Sequence, residues 1–176
     1  MATSHNHERI SILGAGNIGT CIADGLANSD IFKAEHITLT RRDLKQLEPY
    51  KQKGFNITSD NVEAVKGADI IIIAVEPHQV PGIVDEIDSV LDPEQHLVMS
   101  VAASVQIAAI RKHLSKPVPV IRCMPNTAIA IHESMTCLSS DSEGDDRVHI
   151  ERAQKIFETV GETMVLNEEQ MIPATA

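Results

Sequence analysis

Tryptophan is absent, and one Tyr and three Phe bring aromatic residues to only 2% of the 176-residue chain. The core must therefore be aliphatic, and the stacking platforms used by binders of single-stranded nucleic acid are missing. Positive charge is also scarce: 15 Lys and Arg stand against 25 Asp and Glu, a formal net charge of -10. Such a chain repels phosphate backbones at long range, which argues against nucleic acid as a partner. No apolar run approaches the ~20 residues of a membrane span. The opening "MATSHNHER" has no apolar centre of the signal-peptide kind, so residues 1–8 read as a flexible tail and the expected location is the cytoplasm. Cys21, Cys123 and Cys137 are far apart and form no C-x-x-C pair, which favours reduced thiols over a disulfide framework. No two His stand four apart within a helical pattern, so no metal site is expected.

What is present is aliphatic and periodic. Hydrophobic residues make up 43% of the chain, enough for one sizeable domain. Strand-like runs are "RISIL" (9–13), "HITLT" (36–40), "FNIT" (55–58), "DIIIIAV" (69–75), "HLVMSV" (96–101), "VPVIRC" (118–123), "MTCL" (135–138) and "TMVL" (163–166). Helical patterns lie between them. Ile18, Ile22 and Leu26 share one face, as do Val80, Ile83, Val84, Ile87 and Val90. Ile107, Ile110 and Leu114 mark a further helix, and Ala153, Ile156, Phe157 and Val160 the last one. Asp43 is placed to cap the helix after the second strand, and Gly54 to end it. "SSDSEGDD" (139–146) reads as a solvated acidic loop. This alternation predicts an α/β fold: a doubly wound, Rossmann-type, mostly parallel sheet of about eight strands with helices on both faces. Its strand ends, and any ligand, would lie along one edge.

The first strand runs directly into Gly14-Ala15-Gly16-Asn17-Ile18-Gly19, a G-x-G-x-x-G that opens a helix. Gly14 permits the tight turn, Gly16 lets a pyrophosphate approach the backbone, and Gly19 lets helix and strand pack closely. The helix N-terminus adds free N–H groups and a positive dipole end. About 20 residues further on, enzymes that use NAD carry an acid that binds the ribose hydroxyls. Here Thr40, Arg41 and Arg42 occupy that strand tip. Guanidinium groups pair bidentately with a 2′-phosphate, so NADP is favoured. Three further loops fall on the same edge: "AVEPHQV" (74–80), "SVAAS" (100–104) and "IRCMPNTAIAI" (121–131). Small residues at Ala74, Ala102 and Ala103 would let a flat ring or sugar lie against backbone. Asn126 and Thr127 read equally well as ligand contacts or as turn caps. Cys123 reads as a buried strand-end thiol and Glu133 as solvent-facing.

The motifs "GAGNIG", "AVEPHQV", "SVAAS", "VIRCMPNT" and "EEQM…ATA", in this order and spacing, resemble those of the 1-pyrroline-5-carboxylate reductases over residues 9–176. The resemblance implies an N-terminal Rossmann domain over residues 9–166 that binds NADPH, or in some members NADH. It also implies a helical C-terminal domain that forms a homo-oligomer and most of the substrate site. The implied reaction is hydride transfer to the C=N carbon of a cyclic imine, giving L-proline. By position, the resemblance assigns Gly14 to Gly19 to the pyrophosphate, Arg41 and Arg42 to the adenine-ribose end, and Asn61 to a cofactor contact. It assigns Ala74, Val75, Glu76 and Pro77, with Ala102 and Ala103, to the nicotinamide ribose, and Met124, Pro125 and Asn126 to the substrate side. Glu76 stands where the family commonly has Lys, Ser104 where it has Gly, and Ala128 where it has Pro. "HESMT" lacks the usual glycines around its Glu.

The family continues beyond "ATA" into a serine- and glycine-rich turn and a helical domain, whereas this sequence stops at Ala176. Residues 167–176 therefore read as the start of a linker or helix toward an absent domain. No side chain is an evident proton donor to the product nitrogen, so no catalytic residue is assigned. The chain alone is expected to bind NADP(H) and to reduce imine feebly or not at all. Two alternatives stand beside this: a non-catalytic NADP-binding regulator, and another dehydrogenase of similar N-terminal fold.

Overall fold

The computed structural model describes residues 8–141 and 146–171. Eight strands form one sheet: β1 (Ile10–Leu13), β2 (Ile37–Thr40), β3 (Asn56–Thr58), β4 (Ile70–Ile73), β5 (Leu97–Ser100), β6 (Val120–Met124), β7 (Ser134–Ser140) and β8 (Gly161–Val165). The helices are α1 (Asn17–Asn28), α2 (Glu48–Gln52), α3 (Asn61–Lys66), α4 (Val80–Ile87), α5 (Ile107–Arg111), α6 (Arg147–Phe157) and α7 (Glu168–Met171). The strand order is β3-β2-β1-β4-β5-β6-β7-β8. Every neighbouring pair is parallel except β6 and β7, so β7 and β8 run together against the other six. Among the described residues, no helix is long and apolar enough to cross a membrane.

The continuous aliphatic run of β4 is buried at all four residues, as suits a central parallel strand. Its side chains alternate between two cores. Ile70 and Ile72 join Ile10, Ile12, Ile22, Leu26, Ile156 and Phe157 on the side of α1 and α6. Ile71 and Ile73 join Val65, Val84, Ile87 and Ile107 on the side of α3, α4 and α5. The result is a three-layer arrangement with helices on both faces, as the alternating pattern predicts.

Local signals act as expected at several ends. The Asp43 side chain accepts the Lys45 N–H at 3.1 Å and opens a 3-10 turn that leads into α2. Gly54 adopts φ +95° just beyond α2. Three readings change. Ile18 is not a core residue: it is 39% exposed at the start of α1, because the helix leans on the sheet only from Gly19 onward. Ser139 and Ser140 do not belong to an acidic loop but complete β7, and Ser139 is fully buried opposite Arg122. The Asp141 carboxylate, next in sequence, takes two hydrogen bonds from Arg111, at 2.7 and 2.9 Å. Finally Glu8, read as part of a tail, is held by the Arg152 guanidinium of α6 at 2.8 Å. Residues 1–7, 142–145 and 172–176, including most of that tail and the end of the expected linker, lie outside the described residues.

Candidate functional site

The C-terminal ends of β1, β2, β4, β5 and β6 share one edge, because these strands are mutually parallel. The chain leaves β1 toward β2 on one side and leaves β4 toward β5 on the other. The crevice between them is the switch point at which open α/β sheets bind ligands.

The glycine loop folds across that crevice, and the tip of β2 holds it there. Gly14 N–H donates to Thr40 Oγ1 at 3.2 Å, and Ala15 N–H to the Thr40 carbonyl at 2.8 Å. Arg41 Nη1 donates to the Ala15 carbonyl at 2.9 Å, laying a half-buried guanidinium beside the loop. The Gly16 carbonyl takes both the N–H and the hydroxyl of Thr20, at 2.9 and 2.8 Å. The N–H groups of Asn17, Ile18 and Gly19 open α1, where no earlier turn supplies them a helical carbonyl. Asn17 and Ile18 are exposed.

The three glycines answer to different constraints. Gly14 has φ +83°, and a Cβ there would lie 2.3 Å from Val75 Cγ1. A Cβ at Gly19 would crowd Ile12 Cγ2 at 3.1 Å and the Gly14 carbonyl oxygen at 3.2 Å. Gly19 is thus tightly packed, and Gly14 is required by the fold. Gly16 is not: its φ is -87°, and a Cβ would meet only the Gly14 carbonyl oxygen, at 3.9 Å. Its bare backbone faces open space beside the helix N-terminus.

Asn61, at the start of α3, reaches the same loop through Thr40. Thr40 Oγ1 donates to Asn61 Oδ1 at 2.6 Å, and Asn61 Nδ2 donates to Glu86 Oε2 of α4 at 3.0 Å. Arg42 is exposed beside Arg41, and no acid occupies the β2 tip, since Asp43 caps the following turn.

Ala74 continues the sheet ladder to Leu13, and Val75 packs on Gly14. Glu76 is exposed and accompanied by Gln79, which accepts its N–H at 3.3 Å, and by His78, whose Nδ1 lies 3.5 Å from its carboxylate. Pro77 opens the 3-10 turn before α4. Ala102 is buried and Ala103 exposed. Ser104 has φ +63°, a left-handed conformation that glycine adopts more easily.

Past β6, a cleft of about 790 Å³ opens beside Ala103, Met124, Pro125 and Asn126, floored by Met135 and Cys137 of β7. Asn126 caps the following turn with its Oδ1, which accepts the Ala128 N–H at 3.2 Å. Arg122 is a cleft residue that sequence reasoning missed. Its side chain is 3% exposed, and its Nη1 lies 3.3 Å from Glu168 Oε1. The same oxygen accepts the Ile107 N–H at 2.7 Å, so α7 ties the first residue of α5 to β6. Arginine within the otherwise apolar "VPVIRC" was the available signal, because a buried charge needs a partner.

Burial pushes the Cys123 thiol well above the ordinary cysteine range and raises those of Cys21 and Cys137. Thiolate chemistry at neutral pH is therefore disfavoured at all three. Among the described residues, no group of His, Cys, Asp and Glu is arranged to hold a metal ion.

Comparison with known proteins follows the same lines. The family described as "NADP oxidoreductase coenzyme F420-dependent" matches residues 9–104, more than half of the chain. Pyrroline-5-carboxylate reductase 1 of Dictyostelium discoideum is 41% identical over 95% of this chain and 32% of its own length. The structure of a pyrroline-5-carboxylate reductase from Coxiella burnetii superposes with a TM-score of 0.87 at 30% identity, over 95% of this chain and 62% of that one. The crystal structure of Plasmodium falciparum pyrroline carboxylate reductase with NADP bound has a TM-score of 0.82 at 22% identity, over 94% and 60%. The chain thus spans less than two thirds of each of these relatives. By its glycine loop, its sheet and these likenesses, the chain belongs to the NADP oxidoreductase, coenzyme F420-dependent, family, and over nearly its whole length it is similar to the N-terminal portion of the pyrroline-5-carboxylate reductases.

Proposed function

We propose that residues 9–166 form a domain that holds NADP(H) along the strand-end edge, within a reductase of 1-pyrroline-5-carboxylate. The observation that carries this is Gly16. Neither its φ nor its neighbours exclude a side chain, so its bareness is explained by a group approaching from outside. A pyrophosphate fits that place, where the first N–H groups of α1 and its positive end meet it. Arg41, steadied by the Ala15 carbonyl, and exposed Arg42 would take the 2′-phosphate, since a guanidinium offers five donors and one is engaged. Asn61 would serve the same end. Ala74, Val75, Glu76, Pro77, Ala102 and Ala103 would border the nicotinamide ribose, with Met124, Pro125 and Asn126 on the substrate side of the cleft.

When bound, the cofactor would supply the hydride for the C=N carbon of the cyclic imine, and with a proton taken up at the nitrogen the product would be proline. The chain's residues position the cofactor and form one wall of the space in which the imine is reduced. The relatives' names and the NADP in the Plasmodium falciparum structure support this reading. Residues 167–176 would lead into the further length those relatives possess, on which we place the family's homo-oligomer. A reducing compartment such as the cytoplasm suits the three free thiols.

The test is calorimetric titration with NADPH and with NADH. The Arg41→Ala/Arg42→Ala chain is expected to lose about ten-fold or more in NADPH affinity while NADH changes little. Equal affinity for both cofactors, unchanged in the double variant, would remove the NADP assignment.

A further inference from the structure

We infer that Glu86, on α4 and outside the glycine loop, is a positioning residue that fixes the hydrogen-bond direction at the adenosine end of the cofactor site. This rests on the cofactor reading above. Four groups on four elements are linked: the Gly14 N–H, the Thr40 hydroxyl, the Asn61 amide and the Glu86 carboxylate, at 3.2, 2.6 and 3.0 Å. Each of the two middle groups can point either way when taken alone. A hydroxyl both donates and accepts, and an amide can be turned over. The ends decide. A backbone N–H only donates, and an ionised carboxylate only accepts.

The direction then follows link by link. Glu86 must receive the Asn61 NH₂, because the reversed amide would set carbonyl oxygen against carboxylate. That leaves Asn61 Oδ1 facing Thr40, so the Thr40 hydroxyl must donate to it. The lone pairs of Thr40 Oγ1 are then free to accept from Gly14. All three hydrogen bonds run one way and end on a charge, an arrangement in which each strengthens the next.

Two consequences concern the cofactor. The Gly14 N–H is fixed on Thr40, which holds the loop in the form that exposes Gly16. The Asn61 NH₂ also carries a second N–H beyond the one given to Glu86. Asn61 therefore presents itself as a donor, the polarity that phosphate and ribose oxygens require. An exposed acid beside a polyanion site is otherwise unfavourable, and this ordering role gives Glu86 its place there.

The experiment compares wild type, Glu86→Ala and Glu86→Gln, titrated with NADPH and with 2′-phospho-ADP-ribose, which lacks the nicotinamide. Thermal midpoints are recorded alongside. Glu86→Ala is expected to weaken both ligands by the same factor, about three- to ten-fold. Glu86→Gln keeps an acceptor but, as an amide that can be turned over, no longer forces the direction, so it is expected to lose affinity by a smaller factor than Glu86→Ala. A role confined to tethering α3 to α4 would lower the midpoint and leave affinity unmoved. Unchanged affinity in Glu86→Ala, a loss for NADPH alone, or equal losses in the two variants each overturn the inference while the cofactor reading stands. A wild-type chain that binds neither ligand removes both.

Discussion

A methyl group at Gly14 would have to tolerate φ +83° and a collision with Val75, whereas the same methyl at Gly16 meets nothing nearer than an oxygen at 3.9 Å. The two substitutions should therefore separate stability from binding. Gly14→Ala is expected to cost about 2–4 kcal/mol of stability in urea denaturation. Gly16→Ala should cost less than about 1 kcal/mol at its N-cap position. By titration, Gly16→Ala should nevertheless lose most of its affinity for NADPH. If Gly16→Ala binds as wild type does, the open space before it is not where the pyrophosphate lies. The spacing of these glycines was legible in the sequence: Gly14 answers to its turn and Gly19 to close packing, whereas the fold imposes no such demand at Gly16. Ile18 was misread for a related reason: helical periodicity continues to the first turn of α1, but the sheet contact begins only at Gly19. Arg122 was overlooked because its partner, Glu168, is distant in sequence.

Among the elements, the strands and their order of appearance could be read from aliphatic runs, and the caps at Asp43 and Gly54 from residue type. The reversal at β7 was signalled only by length. The connection from Met124 to Ser134 is shorter than the dozen or so residues that a parallel crossover requires. The cleft follows from that reversal: α5 covers the sheet as far as β6, and β7 then presents Met135 and Cys137 beside it.

The turn before β5 carries a pH dependence of its own. His96 is buried, and its Nδ1 accepts the Asp92 N–H at 2.8 Å, so the ring is neutral with its proton on Nε2. Burial pushes its pKa below the usual histidine range, against the opposing pull of Asp92 and Asp69. The unfolded chain then binds the extra proton first. Stability is full above the ordinary value near ~6.5 and falls as pH drops toward the lowered one. His96→Asn, which keeps an acceptor near the Nδ1 position, should flatten the decline of the thermal midpoint between about pH 6.5 and 5. His149, lowered by burial as well, would account for a remaining slope. A variant that declines as steeply as wild type would place the acid sensitivity elsewhere.

At the scale of the whole molecule, the acidic balance and the strand order act together. A chain of net charge -10 offers an anionic ligand little general attraction. The proposed binding would then be local, at the edge where a helix N-terminus and two arginines meet. The strand order that creates this edge also divides the apolar interior in two, and β4 serves both halves. Ile71 and Ile72 are adjacent in sequence but share no core. Ile71→Val and Ile72→Val should each cost about 1 kcal/mol, and the double variant about their sum. A double variant far from that sum would mean that the two faces communicate through the strand. Because β4 is buried against one helical layer on each face, opening either layer alone still leaves it covered from the other side. In deuterated water, the backbone amides of Ile70–Ile73 should accordingly be among the last in the domain to exchange, long after those bordering the glycine turn have done so.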